Sequence, residues 1–108
     1  VNDQIGTPTN AVDLAEVLLK IIQSSKYQSS FGIYNFSNEG QCSWYDFANE
    51  IFRQNGVSID LKPIRTSAYP TPAKRPAYSV LDKTKIKSTF DIEINEWQTS
   101  LATCINQL

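Results

Sequence analysis

The stretch AYPTPAKRPAYSVLD, Ala68 to Asp82, limits the fold more than any other part of the chain. It holds three of the five prolines, Pro70, Pro72 and Pro76. Each proline fixes its own φ, lacks a backbone donor and pushes the residue before it away from helical geometry. No helix can run through the segment, and no central strand can contain it. The regular elements of a 108-residue chain must therefore fall on either side of it. The same stiffness holds the segment on a nearly fixed path that loses little entropy on binding. Lys74 and Arg75 project from that path, with Tyr69 and Tyr78 nearby.

Upstream, VNDQ reads as the end of a strand, and GTPTN breaks it with Gly6 and Pro8. Thr9 or Asn10 can cap the helix that follows, AVDLAEVLLKIIQSSKY. Val12, Leu14, Ala15, Leu18, Leu19, Ile21 and Ile22 give it a broad apolar face expected to be buried. FGIYNFS (31–37) has the aromatic and apolar run of a short strand. Ser43 followed by Asp46 reads as a capping box, with Asp in place of the usual Glu or Gln. Trp44, Phe47, Ala48, Ile51 and Phe52 then recur at helical spacing, and Gly56 closes that helix. VSIDLKPIRT (57–66) alternates as an edge strand interrupted by Pro63. Beyond the prolines, DKTKIKSTF reads as a short helix capped by Asp82, and Ile94, Trp97, Leu101, Ile105 and Leu108 as a terminal amphipathic helix. Alternation of this kind predicts an α/β domain, a small three-strand sheet with flanking helices. Three short strands are few for a free-standing α/β domain, so the pattern predicts a subdomain that docks on a larger sheet.

The length allows one domain, residues 1–108. Ten basic and eleven acidic side chains leave a net charge of −1. That balance offers no electrostatic footprint for nucleic acid or an anionic membrane surface, and no apolar run reaches the length of a membrane span. Cys42 and Cys104 read as reduced, structural thiols of a cytoplasmic chain. The chain has no histidine, the commonest general base and metal ligand. It also has no methionine, so it reads as a piece of something longer. Four scattered glycines match no phosphate or dinucleotide fingerprint, and dispersed carboxylates suggest no metal site. No catalytic, cofactor-binding or metal-binding residue is assigned within the chain.

Three positions can bind a substrate. A guanidinium on a rigid support suits a phosphate through two parallel hydrogen bonds, which points to Arg75; the alternative is a surface pair with a nearby acid. Gln4 can offer a donor and an acceptor to a base or sugar. A helix starting at Thr9 and Asn10 favours an anion, although such residues mostly satisfy local backbone. Trp44 and Phe47 are expected to pack in the core, and Tyr45 to be exposed.

DQIGTPTNAVDLA (3–15), GIYNFSNEGQCSWYDFANEI (32–51) and PIRTSAYPTPAKRPAYSVLDKTKI (63–86) together resemble the C-terminal part of the dTDP-4-dehydrorhamnose reductases. These belong to the extended short-chain dehydrogenase/reductase superfamily. The resemblance implies that residues 1–108 are a sugar-nucleotide-binding subdomain, partnered by an N-terminal Rossmann domain that lies outside this chain. That domain would hold NADPH or NADH and a catalytic Tyr-x-x-x-Lys pair, a pattern that none of the five tyrosines here satisfies. The whole would reduce C4 of dTDP-4-dehydro-L-rhamnose to give dTDP-L-rhamnose, a cell-envelope sugar donor, and the fragment alone would be inactive. The resemblance implies that Arg75 contacts the diphosphate. Gln4 and Thr9 match motif positions as further substrate-binding candidates. A non-catalytic homologue of the same fold is the alternative. A homodimer is left open, and a polyproline interaction module ranks last because no P-x-x-P core is present.

Overall fold

The computed structural model describes residues 1–108. Of its four helices, the first two begin at side-chain caps. Asn10 starts α1 (Ala11–Gln23), its side chain accepting from the N–H groups of Val12 and Asp13. Ser43 starts α2 (Trp44–Gln54), and the capping box with Asp46 is complete. Gly56 lies just past its end at φ +64°, where a side chain would be strained. α3 (Thr84–Phe90) follows Asp82, whose Oδ1 accepts from the Thr84 N–H at 2.9 Å, although the capping position itself is Lys83. α4 (Trp97–Asn106) starts three residues later than the apolar spacing from Ile94 predicts. The residues before it are used otherwise. Glu39 N–H donates to Asn95 O at 2.9 Å and Trp97 N–H donates to Glu39 O at 3.1 Å, locking this strip against the 38–40 turn.

The expected three-strand sheet is a two-strand one. β1 (Ile5–Gly6) pairs antiparallel with β2 (Cys42–Ser43), Ile5 opposite Ser43 and Gly6 opposite Cys42. The other edge of β1 carries a single parallel bridge to Tyr78. Ile5 N–H donates to Ala77 O at 2.9 Å, and Ser79 N–H donates to Ile5 O at 2.8 Å. The end of the proline-rich connector thus supplies the third partner. Residues 31–37 and 57–66 form no ladder. In 31–37, Tyr34 and Phe36 pack on the core while Phe31 and Ile33 are 84% and 86% exposed. That is the side-chain alternation of a strand without a backbone partner in this chain. The 57–66 segment reaches β1's side through one backbone–backbone bond, Asn2 N–H to Ile64 O, and through the bonds of Thr66 to the Asp3 and Gln4 side chains; Pro63 interrupts its donors.

Val17, Ile86, Phe90 and Ile92 form the core, flanked by Ile21, Tyr34, Phe36 and Ile94. Tyr34 meets Phe90 at 5.2 Å between centroids. Beside this core runs a buried polar network. Asn38 Oδ1 accepts from Asn10 N–H at 2.7 Å. Asn38 Nδ2 donates to Asp13 Oδ2 at 2.6 Å and to Ser100 Oγ at 3.0 Å. Ser100 Oγ also donates to Asp13. The network ties α1 to α4 through one side chain, and both the oxygen and the nitrogen of the Asn38 amide have partners. The broad buried face expected of α1 is largely outward: Val17 is buried, but Val12, Leu18, Leu19 and Ile22 are exposed. No helix is long and apolar enough to cross a membrane.

Candidate functional site

A cavity of about 310 Å³ lies where β1, the turn into α1, the start of α2 and the connector meet. Gln4, Trp44, Phe47 and Arg75 are among its lining residues. Each arrives from a different part of the chain. β1 carries Gln4 to one wall. The capping box aims the first turn of α2 at another. The bridge at Tyr78 draws the connector onto β1 and brings Arg75 and Pro76 to the third. Gly6 lies at this junction: a Cβ there would stand 3.0 Å from Ser79 Oγ.

Arg75 is the only charged residue lining the cavity. It makes no ion pair. The four carboxylate pairs of the chain belong to Arg53, Lys62, Lys83 and Lys87. The surface pairing weighed for Arg75 is therefore not formed, and its guanidinium is free to meet an anion. Gln4 Nε2 donates to Thr66 Oγ1 at 3.2 Å. Thr66 in turn donates from Oγ1 to Asp3 Oδ1 at 2.7 Å. These bonds hold the Asp3 carboxyl below the usual carboxylate range, the Thr66 hydroxyl being the main cause. They also fix the Gln4 amide and leave its Oε1 without a protein donor.

Neither helix N-terminus at the cavity is free to hold an anion. In α1 the first donors go to Asn10 and Asn10's own N–H goes to Asn38. In α2 the Ser43 hydroxyl and the Asp46 carboxylate occupy the cap, and that carboxylate repels a second anion. Thr9 is exposed and does not line the cavity, while Thr7 does, its Oγ1 donating to Gly40 O at 2.6 Å. Cys42 lines the floor. Burial, then the Asp46 charge, pushes its thiol up to about 11, so it is a neutral small hydrophobe at physiological pH. No three acidic or thiol side chains converge.

Two aromatic expectations reverse. Trp44 is 65% exposed, and Tyr45 is half-buried. Helical spacing placed Trp44 with Phe47, but the first residue of a helix overhangs its end and here no element covers it. Phe47 does pack as expected, edge-on to Trp97 at 5.9 Å. The signal that singles out Trp44 is its place directly after the cap, where a helix face is least covered by neighbours.

The family described as RmlD substrate binding domain matches residues 1–108. The chain is 43% identical over 109 residues to a dTDP-4-dehydrorhamnose reductase of Aggregatibacter actinomycetemcomitans, covering 94% of this chain and 37% of that protein. A crystal structure of a dTDP-4-dehydrorhamnose reductase from Clostridium acetobutylicum superposes with a TM-score of 0.86 at 45% identity, over 99% of this chain and 37% of that one. The Bacillus anthracis reductase, solved in complex with NADP, superposes with a TM-score of 0.89 at 30% identity, again over 99% and 37%. The chain spans little more than a third of the length of these relatives. By the match along its whole length and the shared fold, the chain belongs to the RmlD substrate-binding domain family.

Proposed function

We propose that this chain is the substrate-binding part of a dTDP-4-dehydrorhamnose reductase, which reduces C4 of dTDP-4-dehydro-L-rhamnose with a nicotinamide dinucleotide. The observation that carries the reading is the cavity whose single charge, Arg75, is unpaired and stands on a proline-stiffened support. Arg75 clamps the diphosphate through its planar fork. Gln4 hydrogen-bonds the nucleoside, and Thr9 reaches the ligand only from the rim, beside Pro8.

A nicotinamide dinucleotide does not fit this chain's own residues. The turn into α1 has one glycine, and the first-turn donors that would meet a pyrophosphate are already spent on Asn10. No tyrosine has lysine four residues on. Cofactor and hydride chemistry therefore belong to a second, N-terminal part. Two features support such a partner: the exposed apolar face of α1, and the 31–37 segment with a strand's side-chain alternation but no ladder.

The test is nicotinamide oxidation by the protein joined to that part, supplied with dTDP-4-dehydro-L-rhamnose. Turnover is expected, with Arg75→Ala weakening sugar-nucleotide binding about ten- to a hundredfold, the range for a charge-assisted bond. Binding without turnover would instead make the protein a non-catalytic homologue. No binding would sink the reading.

A further inference from the structure

We infer that Trp44 is the platform on which the base of the bound nucleotide stacks; the inference rests on reading the cavity as a sugar-nucleotide site. A tryptophan buries more apolar area than any other side chain when a fold uses it for packing. This chain does so with Trp97, which is 5% exposed against the edge of Phe47. Trp44 is 65% exposed on the wall of the cavity.

Its mount is rigid. Ser43 Oγ accepts from Asp46 N–H at 3.1 Å, and Ser43 N–H donates to Asp46 Oδ2 at 2.9 Å. On the other side, Tyr45 N–H donates to Val1 O at 3.0 Å. The backbone under the indole is thus tied to the cap and to the chain's first residue, which lowers the cost of ordering it around a ligand. One cavity then offers a planar aromatic face and one unpaired cation, with no carboxylate among its lining residues. That combination suits a ligand with a π-face at one end and phosphates at the other, a nucleoside diphosphate. The volume, about 310 Å³, lies at the small end of ligand pockets. It suits the nucleoside diphosphate, leaving the sugar to extend toward the reductive centre. Gln4 adds the edge contact. One Nε2 hydrogen is held by Thr66, which orients the amide and leaves Oε1 as a free acceptor. It matches the imide N–H of thymine or uracil.

The experiment titrates thymidine diphosphate and, separately, inorganic pyrophosphate into the protein joined to its cofactor-binding part. Trp44→Ala is expected to lose about ten- to a hundredfold in thymidine diphosphate affinity, the range for removing one base-stacking ring, and nothing for pyrophosphate. Trp44→Phe keeps a stacking face, so it should retain most of the affinity while losing the tryptophan fluorescence quenched by the nucleotide. Arg75→Ala should weaken both ligands. If Trp44→Ala changes neither ligand while Arg75→Ala weakens both, Trp44 is not the platform and the sugar-nucleotide reading stands. If Trp44→Ala weakens both equally and lowers the melting temperature, the indole is a packing contact and the inference is overturned. If the unaltered protein binds neither ligand, both readings fall together.

Discussion

Lys83 is only 7% exposed although it carries a charge. Its ammonium donates to Asn38 O at 3.2 Å, and the Glu39 carboxylate lies 3.6 Å away. Glu39 also accepts from Lys87 Nζ at 2.7 Å. That donation, with Lys83 behind it, holds the Glu39 carboxyl below its ordinary value of 4.5. A carboxyl whose folded value is depressed binds fewer protons folded than unfolded, so its contribution is present above about 4.5 and fades as pH falls. Removing it leaves a buried ammonium with dipoles for company. Glu39→Gln is expected to cost about 1.5–3 kcal/mol at pH 7, the range for a bond to a charged group. The gap between variant and parent should narrow below pH 4.5. Urea unfolding at pH 7 and pH 3 reads both, and an equal gap at the two pH values would mean that Glu39 acts through packing. None of this was legible in the sequence. Lysine at position 83 looks like any solvated helix-start residue until the chain folds over it.

At the scale of elements, what was legible was local. The Ser43–Asp46 box, the Asn10 cap and Gly56 are chemistry within four residues, and the helix ends they mark stand in the structure; the far end of α1 differs, stopping at Gln23 with a 3-10 turn over Ser25–Gln28 where the sequence reading ran the helix on to Tyr27. Strands depend on what lies beside them, and that is set by distant residues. FGIYNFS has strand composition but no ladder, whereas Tyr78, just past the last proline of the connector, supplies the bridge to Ile5. The connector was legible as stiff. That its far end is stitched to β1, carrying Arg75 and Gln4 to one cavity, was not, since their separation in sequence hides the contact. The cap of α2 has a second duty, because it sets the first turn that lines the cavity. Ser43→Ala removes the acceptor for Asp46 N–H and is expected to cost about 1 kcal/mol, as N-cap losses do. For a domain of this size that is a fall of about 4–8 °C in melting temperature. A melt unchanged within a degree would show that Asp46 alone suffices to hold the turn.

The whole molecule is more open than a compact domain of its length. Its radius of gyration is 16.4 Å, against about 13 Å for a compact domain of 100 residues. Its core has four buried residues, while Val12, Leu19 and Ile22 stand exposed with Ala15 along one stripe of α1. Residues 12, 15, 19 and 22 recur at i, i+3, i+7 and i+10, the spacing of a face meant for burial. The sequence reading of that face as buried is not met: within this chain nothing covers it. We propose that the cover is the apolar surface of the N-terminal, cofactor-holding part, which would also set the cavity against the reductive centre. Leu19 then separates the two states. In the 108-residue chain its side chain is solvated, so Leu19→Asp should change stability by no more than about 0.5 kcal/mol, as for other surface positions. In the joined protein it would place a carboxylate in an apolar interface and forfeit about 2–3 kcal/mol of leucine burial. Denaturant unfolding of both forms, with and without the substitution, measures the difference directly. A joined protein that tolerates Leu19→Asp as well as the chain alone does would mean that α1 faces solvent in the joined protein, and that the proposed parts meet elsewhere.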